Sequence, residues 1–140
     1  MVTTSHASLA ADLRLAVART ARRLRQEAGG LSPTPGAAMS TIERHGPLTP
    51  SELATRERIQ RPTATRLINR LEHDGLIVRT ADPVDRRSCV ISISAAGAAE
   101  LKAARTRKDA FLEARLAKLS AEDRATIGRA AELLEELLQA

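Results

Sequence analysis

Two clusters of polar side chains in the middle of the chain are suited to binding a polyanion. The first lies within residues 61–71, where arginines are interspersed with threonine and asparagine, and the second is the loop 82–87, which ends in two adjacent arginines. Such side chains donate hydrogen bonds to phosphate oxygens and to base edges in a DNA groove. The chemistry that these residues could perform is therefore recognition of nucleic acid.

The sequence offers no comparable case for catalysis. His6, His45 and His73 are far apart, and none has a partner at the spacing of metal ligands. Cys89 is the single cysteine, and the sequence supplies no base that would activate it as a nucleophile, so a packing role in a strand explains it better than a redox role. We predict a protein that is not an enzyme and that holds no metal and no cofactor.

Helical periodicity divides residues 61–71 into an apolar face that packs on the protein and a polar face that could contact DNA, which we call the reading face. Apolar residues recur there at the spacing i, i+3, i+4, i+7, as expected of a helix packed on other helices; they are Ala64, Leu67, Ile68 and Leu71. The other faces carry the candidate DNA-binding residues Arg61, Thr63, Thr65, Arg66, Asn69 and Arg70. This pattern alone also fits an ordinary solvated charged face.

The segment before this helix predicts a second short helix that leads into it. Thr49 can cap the helix start, Pro50 suits the first helical position, and Glu52 completes a capping-box pattern. Only a tight turn at residues 58–60 separates the two helices, which is typical of a helix-turn-helix unit.

A β-hairpin is predicted directly after the second of these helices. Gly75 closes the helix, and two β-rich runs at 77–80 and 89–93 flank the loop 82–87. The loop carries Asp85, Arg86 and Arg87, so its tip could reach a minor groove or its phosphates while the helix enters the major groove.

Helices are also predicted on both sides of this unit. One spans 6–28 and ends at Gly29-Gly30, one opens at Leu31-Ser32-Pro33, and one spans 95–118. A last helix starts at Ser120 and carries a wide apolar stripe that a small monomer cannot cover. We predict a mainly α fold with a small β-hairpin wing: one domain, with a winged helix-turn-helix lobe at about 31–94 and dimerisation helices at about 5–30 and 95–140.

Composition agrees with an acidic partner. The 140 residues carry a net charge of +5, which favours a negatively charged partner such as nucleic acid. Only 1% of the side chains are aromatic, so the core consists of aliphatic residues. No apolar run reaches the roughly 18–20 residues that span a membrane, and the first residues lack the apolar segment of a secretion signal. We expect a cytoplasmic location and no membrane partner.

The combined motifs resemble those of the MarR (multiple antibiotic resistance regulator) family over essentially the whole chain. The matching segments are Gly46–Thr49 with Ser51–Ala54, Arg61–Ile68 with Arg70–Glu72, Asp74–Ile77 with Arg79, the wing signature Asp82–Arg87, and Ile93-Ser94 with Gly97. Family members typically have Leu-Thr after the wing, where this chain has Ile-Ser.

The resemblance implies a homodimeric regulator, usually a repressor, on a roughly palindromic double-stranded operator. It places Arg61, Thr63, Thr65, Arg66 and Arg70 in the major groove. It places Arg86 and Arg87 at the wing, with Asp85 orienting an arginine through a salt bridge. It also implies release by a small lipophilic or aromatic anion bound between the dimerisation helices and the winged head. The alternative is a winged-helix module that binds proteins instead of DNA, since fold does not determine function.

Overall fold

A computed structural model describes residues 5–29 and 32–140 of the chain. Its elements, in order, are α1 (His6–Ala28), α2 (Pro33–His45), α3 (Pro50–Glu57), α4 (Arg61–His73), β1 (Ile77–Ala81), β2 (Cys89–Ile93), α5 (Ala95–Leu116) and α6 (Ala121–Gln139). The predicted mainly α fold with a small hairpin is confirmed. Gly30 and Leu31, which were expected to end the first helix and open the second, lie outside the described residues.

Side-chain caps mark the starts of α3, α5 and α6. The Thr49 hydroxyl accepts a hydrogen bond from Glu52 N at 3.2 Å, at the start of α3. Ser94 and Ser120 cap α5 and α6 in the same way. Each hydroxyl satisfies a first-turn amide that has no partner within its own helix.

Helix α5 is two residues shorter than its predicted span of 95–118. It ends at Leu116, because the chain tightens there into i→i+3 hydrogen bonds. Lys118 N donates to Arg115 O at 3.2 Å, and Leu119 N donates to Leu116 O at 3.1 Å.

The two turns that flank α4 fix the direction in which the chain enters and leaves this helix. Before it, Arg58 adopts the left-handed conformation with φ 55°, and Ile59 N donates to Ala54 O at 3.0 Å. After it, Gly75 has φ +74°, and Leu76 N donates to Leu71 O at 2.9 Å. Both are Schellman-type turns, in which a left-handed residue lets the chain reverse direction and satisfy the last carbonyls of the helix.

The hairpin pairs β1 with β2 in antiparallel register, with Ile77 opposite Ile93 and Arg79 opposite Ile91. Leu48 adds an isolated antiparallel bridge to Ile91 on the other side of β2. The wing is thereby joined to the segment that leads into α3.

One aliphatic core holds the head together. It consists of buried residues from α2, the segment between α2 and α3, α3, α4, α5 and the hairpin: Ala38, Met39, Ile42, Leu48, Leu53, Leu67, Ile68, Leu71, Ile77, Ile91 and Leu101. Ala64, Leu67, Ile68 and Leu71 are all buried, so the predicted packing face of α4 is confirmed.

Helices α1 and α6 lie largely outside this core. Within the described chain, α6 contributes no buried residue, and Leu137 and Leu138 are 63% and 80% exposed. In α1, Leu9 is 56% exposed. The predicted apolar stripe of α6 is therefore uncovered in a single protomer.

Candidate nucleic-acid interface

The reading face of α4 is accessible along its length. Five of its six predicted residues are exposed, and Thr63 is half-buried. The exposed ones are Arg61, Thr65, Arg66, Asn69 and Arg70. Since the opposite side of α4 is buried in the core, these donors share the solvent side of one rigid helix, which is the arrangement that groove recognition needs.

Several of these side chains already have partners within the head. The Arg61 guanidinium donates to the Ser51 hydroxyl, which ties the start of α4 to the first turn of α3. Arg66 Nη2 lies 3.4 Å from Thr63 Oγ1, and the Thr65 hydroxyl donates to the Arg61 carbonyl at 3.0 Å. Within the described residues the Arg70 side chain has no hydrogen-bond or ion-pair partner, so it is the most available donor for a phosphate or a base.

The side chain of Asn69 accepts a hydrogen bond from an arginine of the hairpin. Arg79, on β1, donates from Nη2 to Asn69 Oδ1 at 2.8 Å and from Nε to Glu72 Oε2 at 3.3 Å. Its Nη1 lies 3.9 Å from Cys89 Sγ. These contacts join the wing to the C-terminal half of α4, so the two candidate DNA-contacting elements form one connected unit.

Arg79 is the residue to which sequence reasoning assigned no role. A signal was present, because strand alternation puts Arg79 on the same face as the buried Ile77. In the structure Arg79 is exposed, and α4 supplies two polar partners for its guanidinium, Asn69 and Glu72.

The wing loop is shaped by its aspartates. Asp82 Oδ1 accepts a hydrogen bond from Val84 N at 2.9 Å, and Asp85 Oδ1 accepts one from Arg87 N at 3.0 Å. Both are Asx-turns, in which a carboxylate organises the backbone two residues further on. Arg86 and Arg87 are exposed at the tip of this ordered loop.

The salt bridge expected of Asp85 is not the contact found. Asp85 has no ion pair with any described residue, and its carboxylate binds the main-chain amide of Arg87 instead. The short side chain, two residues before Arg87, reaches the backbone more readily than the guanidinium. Asp85 therefore contacts the loop backbone beside Arg86 and Arg87, and neither guanidinium.

The chain is similar to known transcriptional regulators along nearly all its length. The MarR family model matches residues 31–89. An HTH-type transcriptional regulator of Mycobacterium leprae is 40% identical over 136 residues, covering 96% of this chain and 95% of that protein. The chain belongs to the MarR family.

Solved structures agree with this membership. A transcriptional regulator from Pseudomonas aeruginosa has a TM-score of 0.89 at 36% identity, with 99% of both chains covered. A Staphylococcus aureus MepR variant, solved bound to an oligodeoxyribonucleotide, has the same fold, with a TM-score of 0.72 at 20% identity over 92% of this chain and 97% of that one. The chain is therefore a MarR-type DNA-binding transcriptional regulator and not an enzyme.

A cavity lies where α1, α2 and α5 meet, away from the exposed face of α4 and the wing of this MarR protein. Its volume is about 430 Å³, and its walls are mostly alanine, leucine, proline and glycine. Three cationic side chains line it: Arg25, Arg105 and Lys108. Arg105 is paired with Glu43 at 2.8 Å. The combination of aliphatic walls and cationic groups suits an amphipathic anion.

Residues 5–29 and 32–140 contain no candidate metal site and no candidate membrane span. No group of three or more histidine, cysteine or carboxylate side chains there could hold a metal ion. No helix within the same residues is long and apolar enough to cross a bilayer.

Proposed function

We propose that this MarR protein binds a palindromic operator as a homodimer, with the exposed face of α4 in the major groove and the wing on the flanking backbone. The observation that carries the proposal is the connected surface formed by α4 and the hairpin. It presents Arg66, Arg70, Arg86 and Arg87 on one ordered unit. Arginines of the helix can contact base edges while arginines of the adjacent wing contact phosphates.

The uncovered apolar surface supports the dimer. Exposed leucines, isoleucine and valine lie on both terminal helices, and a second copy of the chain would remove them from water. Dimerisation would also place two α4 helices so that they can enter successive major grooves about 34 Å apart. We take the segments at about 5–30 and 95–140 as dimerisation helices and about 31–94 as the DNA-binding lobe.

We further propose that the protein is a cytoplasmic repressor that an amphipathic anion releases. A dimer on the operator would exclude other proteins from that DNA. The cavity between α1, α2 and α5 lies where a ligand could change how the head sits on the dimerisation helices. An anion that binds better to a spacing unsuited to DNA would shift the population toward that spacing.

The experiment that tests DNA recognition is a fluorescence-anisotropy titration of the full chain. The probe is the duplex just upstream of the protein's own gene, with a scrambled duplex as control, at two salt concentrations. Tighter binding to the native duplex supports a specific operator there. Salt-insensitive or absent binding to both duplexes would contradict the proposal and favour the protein-binding alternative.

Substituting arginines of the two elements should have different consequences. Arg70→Ala is expected to weaken operator binding by about 1–3 kcal/mol and to relax preference at one base pair, if Arg70 reads a base. Arg87→Ala is expected to weaken binding equally on all duplexes and to reduce the salt dependence by about one counterion, as a phosphate contact does. Unchanged affinity of both variants would show that another surface binds DNA.

Removing one cation from the cavity should weaken the effector response while leaving DNA binding intact. A charge-assisted hydrogen bond is worth about 1.5–3 kcal/mol, so Lys108→Ala should need at least tenfold more ligand for release. The probes are aromatic and long-chain aliphatic carboxylates, scored by loss of anisotropy. The control is Lys102→Ala, an exposed lysine of α5 outside the cavity lining. Equal ligand responses of the two variants would place the anion elsewhere.

A further inference from the structure

We propose that Arg79 is a positioning residue that fixes the side-chain amide of Asn69 with its NH2 group toward DNA. Arg79 itself is not expected to contact the operator. Its effect is to decide which base Asn69 prefers. This role rests on the proposed placement of α4 in the major groove.

The chemistry of the contact determines the orientation of the amide. Arg79 Nη2 lies 2.8 Å from the Asn69 side chain. A guanidinium has five N–H donors and no acceptor, so the Asn69 atom that faces it must be the carbonyl oxygen. The oxygen and nitrogen of an isolated amide are hard to distinguish, but this partner removes the ambiguity.

A second contact keeps Arg79 in place. Its Nε lies 3.3 Å from Glu72 Oε2, less than one helical turn from Asn69. Arg79 and Glu72 side chains are 32% and 43% exposed, so the guanidinium is held at the edge of the head rather than free in solvent. A planar guanidinium that is hydrogen-bonded to two residues of one helix has little freedom to move away from Asn69.

The orientation matters because asparagine reads adenine with both of its groups. In that pairing the carbonyl accepts from adenine N6 while the NH2 group donates to N7. The Asn69 carbonyl has two lone pairs, so one bond does not exhaust it. Because this carbonyl is turned toward Arg79, however, the NH2 group is the part of the amide left to face the groove, and Asn69 presents donors. Guanine offers two acceptors, N7 and O6, whereas adenine offers one acceptor and one donor on the same edge. Held in this way, Asn69 should favour guanine over adenine.

Selection of bound duplexes from a randomised pool, followed by sequencing, tests this role with the full-length dimer. Asn69→Ala identifies the operator position that Asn69 reads, because that position alone should lose its preference. Wild type should enrich guanine over adenine there by about tenfold. Arg79→Met, which keeps an apolar stem but has no donor, should abolish or reverse that ratio while leaving the other positions unchanged.

Matched variants separate positioning from a general structural effect. Glu72→Gln removes the ion pair but leaves Arg79 on Asn69, so its base preference should match wild type. Arg79→Lys retains a donor and should restore part of the guanine preference, which keeps the test decisive if Arg79→Met is poorly folded. An adenine preference in wild type, or an unchanged ratio in Arg79→Met, would overturn the role of Arg79.

Parallel measurements on Arg66→Ala and Arg70→Ala show which proposal has failed. If these variants lose affinity while Asn69→Ala alters no operator position, only the role of Arg79 and Asn69 is wrong. If all α4 variants bind DNA like wild type, the reading face itself is wrong, and the role of Arg79 falls with it.

Discussion

A Gly97→Ala variant is expected to be less stable than wild type by about 1–3 kcal/mol, the range for forcing extra atoms into a packed site. Gly97 is buried in the first turn of α5. A Cβ added there would collide with the Leu76 carbonyl oxygen and would lie 2.7 Å from Ile93 Cδ1. The carbonyl belongs to the backbone, so relief requires moving α5 away from the hairpin.

The displacement would act on a junction that joins three elements. Ser94 N donates to Leu76 O at 3.1 Å, and the Ser94 hydroxyl donates to Gly75 O at 2.7 Å while it accepts from Gly97 N at 3.0 Å. The end of α4, the base of the wing and the start of α5 therefore share one hydrogen-bonded corner. Operator affinity should fall with stability in this variant.

Urea unfolding followed by circular dichroism measures the effect, and the same substitution in α6 is its control. An added Cβ at Gly128 meets nothing within 4 Å. Gly128→Ala should therefore stabilise the protein by about 1 kcal/mol through helix propensity. If both variants change the stability in the same direction, the close approach of the Leu76 carbonyl does not explain why residue 97 is glycine.

A Leu137→Glu variant is expected to become monomeric and to lose about 10²–10⁴-fold in operator affinity, the gain that linking two binding units provides. Leu137 is 63% exposed in the single protomer, so the substitution should leave the head intact. In a symmetric dimer it would bury two carboxylates without partners, which is costly. Light scattering measures the mass, and anisotropy measures the affinity.

Gln139→Glu is the matched control, since it adds the same charge to another side of α6. This variant should remain dimeric and bind DNA like wild type. Circular dichroism of the Leu137→Glu protein distinguishes a folded monomer from an unfolded chain. A dimeric Leu137→Glu variant with unchanged affinity would show that the stripe of α6 is not the interface.

Much of the architecture could be predicted because its signals are local. Thr49, Ser94 and Ser120 cap the helices that their sequence positions suggest. The exposed side of α4 was also predictable, because burying one apolar stripe of a helix leaves the other side to solvent. The predicted end of α5 was wrong by two residues, because apolar and charged residues continue past Leu116 without a breaker.

By itself, the sequence determined the element order, the buried face of α4 and the charged composition of the wing. These depend on periodicity, capping and turn chemistry, which act within a few residues. Only the tertiary structure decided that Arg79 holds Asn69 and that Gly97 lies against Leu76. Both contacts depend on how closely and at what angle separate elements pack, and the residue pattern within each element does not encode that geometry.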